Sequence, residues 1–251
     1  MYHSVTFGDK NTWNDWRIVP ASRPLFVPPK QKTVLLDIPG ASSSMDLSEA
    51  LTGYPLFEDR EGSMEFIVMN DFRPWQEAYS DIMGYLHGRR MRARLEDDPG
   101  WYYEGRFAVN AWKSQKDFSR IVVDYRVGPY KWSEEASCDN WRWDPFSFRT
   151  GMISAAWCRD IPVDSPSSWT EWVFPEKLTG EAPVSPEIVV SGSGGTGVDI
   201  RFVNPTVRID TTRHLTDGRH LIPDFLFVGG GEKVFFKGAG TVSIDFHRGR
   251  L

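Results

Sequence analysis

Long apolar segments are absent from this chain of 251 residues. No run reaches the roughly 18 apolar residues that a helix needs to cross a bilayer, so we expect no membrane insertion. The N-terminal stretch also lacks the basic start and the apolar core of a secretory signal peptide. We therefore expect a protein that is not exported by the usual route.

A surplus of basic residues is missing as well. The chain has 29 Lys and Arg against 34 Asp and Glu, a formal net charge of −5. General nucleic-acid binders depend on a basic surface that releases counterions, so this class is disfavoured. The charge balance does not exclude a protein that nucleic acid merely slides past, because like charges repel.

Cysteine is scarce, with Cys138 and Cys158 the only two. Two cysteines without histidines at matching spacing do not make a zinc site. We predict a free, partly buried pair in a reducing compartment, and a disulfide between them is the alternative.

Catalytic motifs are also missing. The histidines show neither an HExxH spacing nor a neighbouring nucleophile: they are His3, His87, His214, His220 and His247. The run SGSGGTG at 191–197 lacks the Lys-Ser/Thr pair of a phosphate loop and leads into a predicted strand, so we interpret it as a hairpin turn.

Carboxylates give little support for a glycan hydrolase, which needs two of them facing one another across a cleft. The adjacent acids at 96–98 and 134–135 fall in a predicted turn and at the centre of the chain, where solvated carboxylates are common. We therefore predict no enzyme, with no catalytic residue, no metal ligand and no cofactor.

Alternating apolar residues predict strands before residue 131. Residues 89–96, 101–112 and 121–127 each show a period of two, and the turns between them predict an antiparallel meander. Apolar residues at helical spacing predict one helix, with Pro74 in its first turn, Asp71 as a possible cap and Gly88 at its end: they are Trp75, Tyr79, Ile82 and Leu86.

Two shorter segments, 33–38 and 63–70, are interpreted as buried strands. The Pro-rich segment 20–29 cannot be a central strand and is expected to be an extended arm or edge. Arg90, Arg92 and Arg94 could contact phosphates, but a solvated face balanced by neighbouring acids is the favoured interpretation.

The chain beyond residue 131 differs, with short predicted strands and glycine-rich turns typical of a β-sandwich or jelly roll. The strands are expected at 188–190, 198–203, 207–209, 225–228, 233–237 and 241–246. The Ser- and Pro-rich stretch 164–186 is expected to be a surface excursion. We predict two domains, 1–131 and 132–251.

Aromatic residues cluster near this boundary and, together with Asp144, predict packing between the domains: Trp132, Trp141, Trp143, Phe146 and Phe148. A second use of flat rings is stacking on sugars, since their faces match the CH groups of a pyranose. The candidates for such stacking are Trp157, Trp169 and Trp172.

Several segments, in this order, resemble the distal tail (Dit) proteins of phages with long, non-contractile tails (siphophages). They are YHSVTFGDKNTWNDW at 2–16, LTGYP at 51–55, FIVMNDFRPW at 66–75, LEDDPGWYYEGRF at 95–107, VDYRVGPYKW at 123–132, WRWDPFSFRTG at 141–151 and GTVSIDFHRGRL at 240–251. The similarity covers nearly the whole chain and is least distinctive over 160–186. Each segment is weak alone, and their order and spacing carry the resemblance.

The resemblance implies a mainly β protein. Its N-terminal domain would be β-barrel-like, with one helix and an extended arm, and would close six copies into a ring. Its C-terminal domain would be a galectin-like or carbohydrate-module-like β-sandwich. The ring would be a baseplate hub at the virion's tail tip, made in the host cytoplasm.

The resemblance also implies partners. The hub would join the tail-tube protein to the tail-associated fibre or lysin protein, and in some phages would hold receptor-binding proteins. The tape measure protein, and later DNA without specific binding, would pass through the channel. The alternative function is host attachment by carbohydrate binding through the C-terminal β-sandwich.

Overall fold

The computed structural model describes residues 3–69, 74–114, 119–139, 158–173, 181–229 and 231–251. The elements up to residue 127 are β1 (Val5–Phe7), β2 (Lys10–Asn11), β3 (Ile18–Pro20), β4 (Leu35–Leu36), β5 (Met45–Asp46), β6 (Arg60–Val68), α1 (Trp75–Leu86), β7 (Arg89–Leu95), β8 (Trp101–Ser114) and β9 (Ser119–Val127). The later elements are β10 (Lys131–Ala136), β11 (Ile161–Trp172), β12 (Glu187–Ser191), β13 (Val198–Asn204), β14 (Ile209–Leu215), β15 (Gly218–Leu221), β16 (Lys233–Asp245) and β17 (His247–Arg250). The prediction of a mainly β fold is confirmed.

Contacts between Cα atoms divide the chain into two compact units. The first unit contains Met1–Leu35, Leu56–Trp132 and Leu251, and the second contains Leu36–Pro55 and Ser133–Arg250. A segment from the N-terminal quarter of the chain is thus grouped with the second unit. The domain boundary after residue 131 stays a prediction.

The first unit is built on a sheet with the strand order β2-β1-β7-β8-β9-β6-β3. Its neighbouring strands are antiparallel, and the predicted meander of β7, β8 and β9 is present. Alternate residues of β9 are fully or almost fully buried, as the period of two predicted: Ile121, Val123, Tyr125 and Val127. β3 is an edge strand and ends at Pro20, which suits a residue that cannot donate a ladder hydrogen bond.

Helix α1 closes the core of this sheet. Ala78, Ile82 and Leu86, four residues apart, are its buried residues. Ile82 and Leu86 belong to the same core as Phe7, Phe66 and Phe107. The predicted helix is therefore confirmed.

The start of α1 differs in part from the prediction. Trp75 is 52% exposed, so it does not belong to the core as its spacing suggested. It lies in the first turn, and its ring centroid lies 6.1 Å from that of Trp112 on β8. The possible cap Asp71 lies outside the described residues.

The second unit is built around the long strand β16. Residues Lys233–Gly238 pair with β13, and residues Thr241–Asp245 pair with β12. The outer neighbours are β14 beside β13 and β15 beside β12. β11 also pairs with β16, and its register shifts between Ser165 and Thr170.

The first part of β16 therefore pairs with β13 and the second part with β12, within one sheet. Two glycines lie where its partner changes: Gly238 and Gly240 have φ of 132° and 144°, a region that side chains rarely adopt. A strand that passes from one half of a sheet to another requires such a bend. The inward residues on both halves are buried, among them Ile188, Val190, Ile200, Phe202, Val242 and Ile244.

Several sequence-based predictions are wrong in detail. Residues 237–240, expected to be a glycine-rich turn between the strands predicted at 233–237 and 241–246, lie inside β16. Residues 191–197 are not a hairpin turn, because β12 and β13 pair with β16 and not with each other. Residues 164–172, expected to be a surface excursion, belong to β11.

Two further segments were also assigned wrongly. Residues 225–228 form only an isolated bridge, through Phe227. Residues 205–208 form a turn, so the strand predicted at 207–209 begins at Ile209. The buried Asn204 shapes this turn, because its Oδ1 accepts hydrogen bonds from the N–H groups of Thr206 and Val207.

Candidate assembly surface and charged cavity

Residues 33–38 are exposed and do not form the predicted buried strand. Only Leu35 and Leu36 are extended in β4, which forms a two-stranded sheet with β5. Large apolar side chains are exposed along residues 34–51: Val34, Leu35, Leu36, Ile38, Met45 and Leu51. Scattered exposed apolar residues are normal, but a cluster within 18 consecutive residues is typical of an interaction surface. We call residues 34–51 the apolar arm.

The apolar arm continues into a close contact within the second unit. A Cβ added to Gly53 would lie 2.3 Å from the carbonyl oxygen of Thr206. The backbone of residue 53 therefore lies directly against the turn that follows β13. No larger residue could occupy this position without a shift of the backbone.

The candidate sugar-stacking tryptophans have different environments. Trp169 is 39% exposed and lies on β11, near the hydrogen-bonded hydroxyls of Ser165 and Thr170. Trp172 is half-buried, and its ring lies 6.2 Å from that of Phe236. Trp157 lies outside the described residues. Sugar stacking stays a prediction.

The predicted junction residues are mostly outside the described part of the chain. Trp141, Trp143, Asp144, Phe146 and Phe148 all lie there. Trp132 is half-buried and makes an edge contact with Tyr130, with ring centroids 6.3 Å apart. A role in packing between the domains stays a prediction.

The arginine face of β7 is balanced by neighbouring groups. Arg90 and Arg92 lie 3.1 and 3.7 Å from the carboxylate of Glu104, directly across the sheet. Arg92 also lies over the ring of Tyr102, at 4.3 Å, and Arg94 donates to the carbonyl oxygen of Gly8. The structure thus agrees with the favoured interpretation of a solvated, balanced face.

Glu96, Asp98 and His214 each contact a neighbouring polar or charged group. Glu96 accepts hydrogen bonds from the backbone N–H and hydroxyl of Ser4, which lower the pKa of its carboxyl. Asp98 lies 2.6 Å from the Lys131 ammonium, and His214 lies 2.7 Å from Asp199. Within the described residues, no group of three or more His, Cys, Asp or Glu could hold a metal ion.

The two cysteines are free and close to one another. The Cys138 Sγ donates weak hydrogen bonds to the carbonyl oxygens of Cys158 and Ile244, at 3.4 and 3.3 Å. Burial raises the pKa of the Cys138 thiol to about 11 and that of the Cys158 thiol to about 12. Such thiols are protonated at neutral pH and react slowly.

A charged cavity of about 430 Å³ lies on the first unit. Its cationic lining residues are Lys30, Lys32, Arg60 and Arg126, and its acidic ones are Glu58, Asp59 and Glu61. Arg60 is only 5% exposed, which is unusual for an arginine. Its neighbours in sequence, EDREG at 58–62, gave no sign of burial.

Comparison with known proteins supports the fold. No protein-family model and no curated protein matches the chain. Among solved structures, the Dit protein of phage SPP1 aligns over 100% of both chains with a TM-score of 0.55 and 13% sequence identity. The chain has a mainly β, Dit-like fold.

The SPP1 protein is described as a paradigm of the hub adsorption apparatus in phages that infect Gram-positive bacteria. At 13% identity the likeness shows a shared fold, and the function of this chain requires its own argument.

Among the described residues no helix is long and apolar enough to cross a membrane.

Proposed function

We propose that this chain is a tail-tip hub subunit of a siphophage, in which six copies form a ring around the DNA channel. The observation that carries the proposal is a Dit-like fold that extends over the full length of both chains. A mildly acidic composition suits a channel for DNA, because it does not attract phosphates.

The apolar arm supplies a contact for such a ring. Head-to-tail contacts between different surfaces close into a ring when their rotation closes. The exposed Leu35 and Leu36 would lose their contact with water against the neighbouring copy, which stabilises association by the hydrophobic effect. In the virion the ring would join the tail-tube protein to the tail-associated fibre or lysin protein and surround the tape measure protein. The second unit would be a galectin-like module near receptor-binding proteins.

Light scattering of the purified chain over a wide concentration range tests the ring. We expect a mass of about 172 kDa, which is six times 28.7 kDa. The double variant Leu35→Ser/Leu36→Ser should shift the mass to that of the monomer. The matched control is Leu221→Ser, because Leu221 is 69% exposed but lies on β15. A monomer at every concentration, or a ring unaffected by the arm variant, would contradict the proposal.

A further inference from the structure

The charged cavity contains a buried cation without a counter-charge. The Arg60 Nε donates to the carbonyl oxygen of Pro129 at 2.8 Å, and its Nη1 donates to that of Val27 at 3.1 Å. The Nη2 is buried and has no hydrogen-bond partner among the described residues. The guanidinium also lies 5.5 Å from the centre of the Tyr103 ring. These contacts are with neutral groups, so they do not neutralise its charge.

A charge in this position is unfavourable by itself. Buried ions are normally paired, because removing an ion from water costs several kcal/mol. Within the described residues, no carboxylate lies within 4 Å of Arg60. Burial accordingly lowers the pKa of its guanidinium.

The carboxylates that line the cavity do not fill this role. Asp59 and Glu61 both pair with Arg126, at 3.0 and 3.1 Å. Lys30 and Lys32 are exposed and make no ion pair with any described residue. The lining thus has four cations and three carboxylates, a net charge of +1. Because Arg126 is paired with Asp59 and Glu61, the cations without an ion pair to a described residue are Arg60, Lys30 and Lys32.

We propose that this cavity binds a carboxylate of another protein chain, with Lys30, Lys32 and Arg60 as the cationic groups. A balance of +1 matches a single carboxylate. A phosphate polymer carries many negative charges and would be repelled by the acidic residues already present. Arginine and lysine both bind carboxylates through charge-assisted hydrogen bonds.

The choice of a protein over a free acid rests on the proposed hub function. Lys32 lies three positions before the first residue of β4, Leu35, and Glu58 lies shortly after the apolar arm ends at residue 51. Residues 31 and 57 pair at this point. A protein that contacts the start of the arm can therefore also offer an acidic side chain to the cavity.

Binding of a blocked peptide with a single glutamate to the full chain, measured by calorimetry at low ionic strength, tests the inference. The variant Lys30→Gln/Lys32→Gln should bind at least about tenfold more weakly. The matched control Lys233→Gln/Lys237→Gln removes the same charge from β16 and should bind as the parent does. Lys30 and Lys32 are exposed, so the Lys30→Gln/Lys32→Gln variant should keep the parent's unfolding midpoint.

Four outcomes would overturn the inference. The first two are a peptide that does not bind and a loss of affinity that is equal in the two double variants. The third is acetate that binds as tightly as the peptide with the same lysine dependence, which would indicate a site for free acids. The fourth is an oligonucleotide that binds more tightly through the same lysines, which would indicate a phosphate site. Light scattering separates this result from the hub proposal, because a ring that forms without peptide binding refutes only the inference.

Discussion

At the scale of single residues, the free cysteines allow a test of local packing. The Cys138 thiol is half-buried and the Cys158 thiol is buried, and burial raises the pKa of both. Only the thiolate reacts with alkylating agents. A thiol with a pKa of about 11 is ionised on the order of a hundredfold less at pH 8 than an ordinary thiol.

We therefore expect iodoacetamide to modify the folded protein at pH 8 on the order of a hundredfold more slowly than the urea-unfolded protein, by mass spectrometry. Stability should be unaffected below about pH 8 and should fall as the pH rises from there towards 11, because the unfolded thiols then ionise before the folded ones. Equal rates of modification in the two states would show that the thiols are not buried as described.

Arg60 shows why residue-level burial could not be predicted. It lies in the charged run EDREG, which indicates a solvated turn. Its burial depends on the carbonyl groups of Val27 and Pro129, which are 33 and 69 residues away in the chain. Contacts of that kind leave no periodic pattern in the sequence.

At the scale of elements, the strand β16 depends on the bend at its two glycines. A Cβ at Gly240 would lie 3.0 Å from the carbonyl oxygen of Ser191, and the φ of 144° is itself unfavourable for a side chain. We expect Gly240→Ala to lower the free energy of unfolding by about 1–3 kcal/mol, measured by urea denaturation.

The control for this prediction lies in α1. A Cβ at Gly84 meets nothing within 4 Å, and its φ is not positive. Gly84→Ala should therefore raise the free energy of unfolding by about 0.5–1 kcal/mol, because alanine favours the helix. A destabilised Gly84→Ala or an unchanged Gly240→Ala would contradict this account of the bend.

Elements with a long, regular buried face were predicted from the sequence. The short strands β1 and β3 were missed, although Val5, Phe7 and Ile18 are fully buried. The alternation of β9 and the helical spacing of α1 are visible because their apolar residues face one core. β11 carries Ser, Pro and exposed residues, so its strand is formed by pairing with β16 and not by its own pattern. For residues 33–38 the apolar pattern predicted a buried strand, but the side chains are exposed. An apolar run shows that residues favour burial and does not show which surface buries them.

At the scale of the whole molecule, the chain order and the two units do not coincide. Residues 36–55 are grouped with the second unit, although they lie between segments of the first. The close approach of Gly53 to Thr206 is the contact that shows this directly. A domain boundary predicted from sequence is a single position in the chain. It therefore cannot describe a unit that includes a segment, here residues 36–55, lying between two segments of the other unit.

Hydrogen exchange can test this division. The fully buried Ile200 lies in the core of the second unit, and Phe107 lies in that of the first. Each replacement by alanine should cost about 2–5 kcal/mol, mainly in the unit that contains it. Ile200→Ala should therefore speed exchange at the Gly53 amide, which donates to Glu49, while β9 stays protected. Phe107→Ala should expose β9 and leave that amide unchanged, and the opposite pattern would assign residues 36–55 to the first unit.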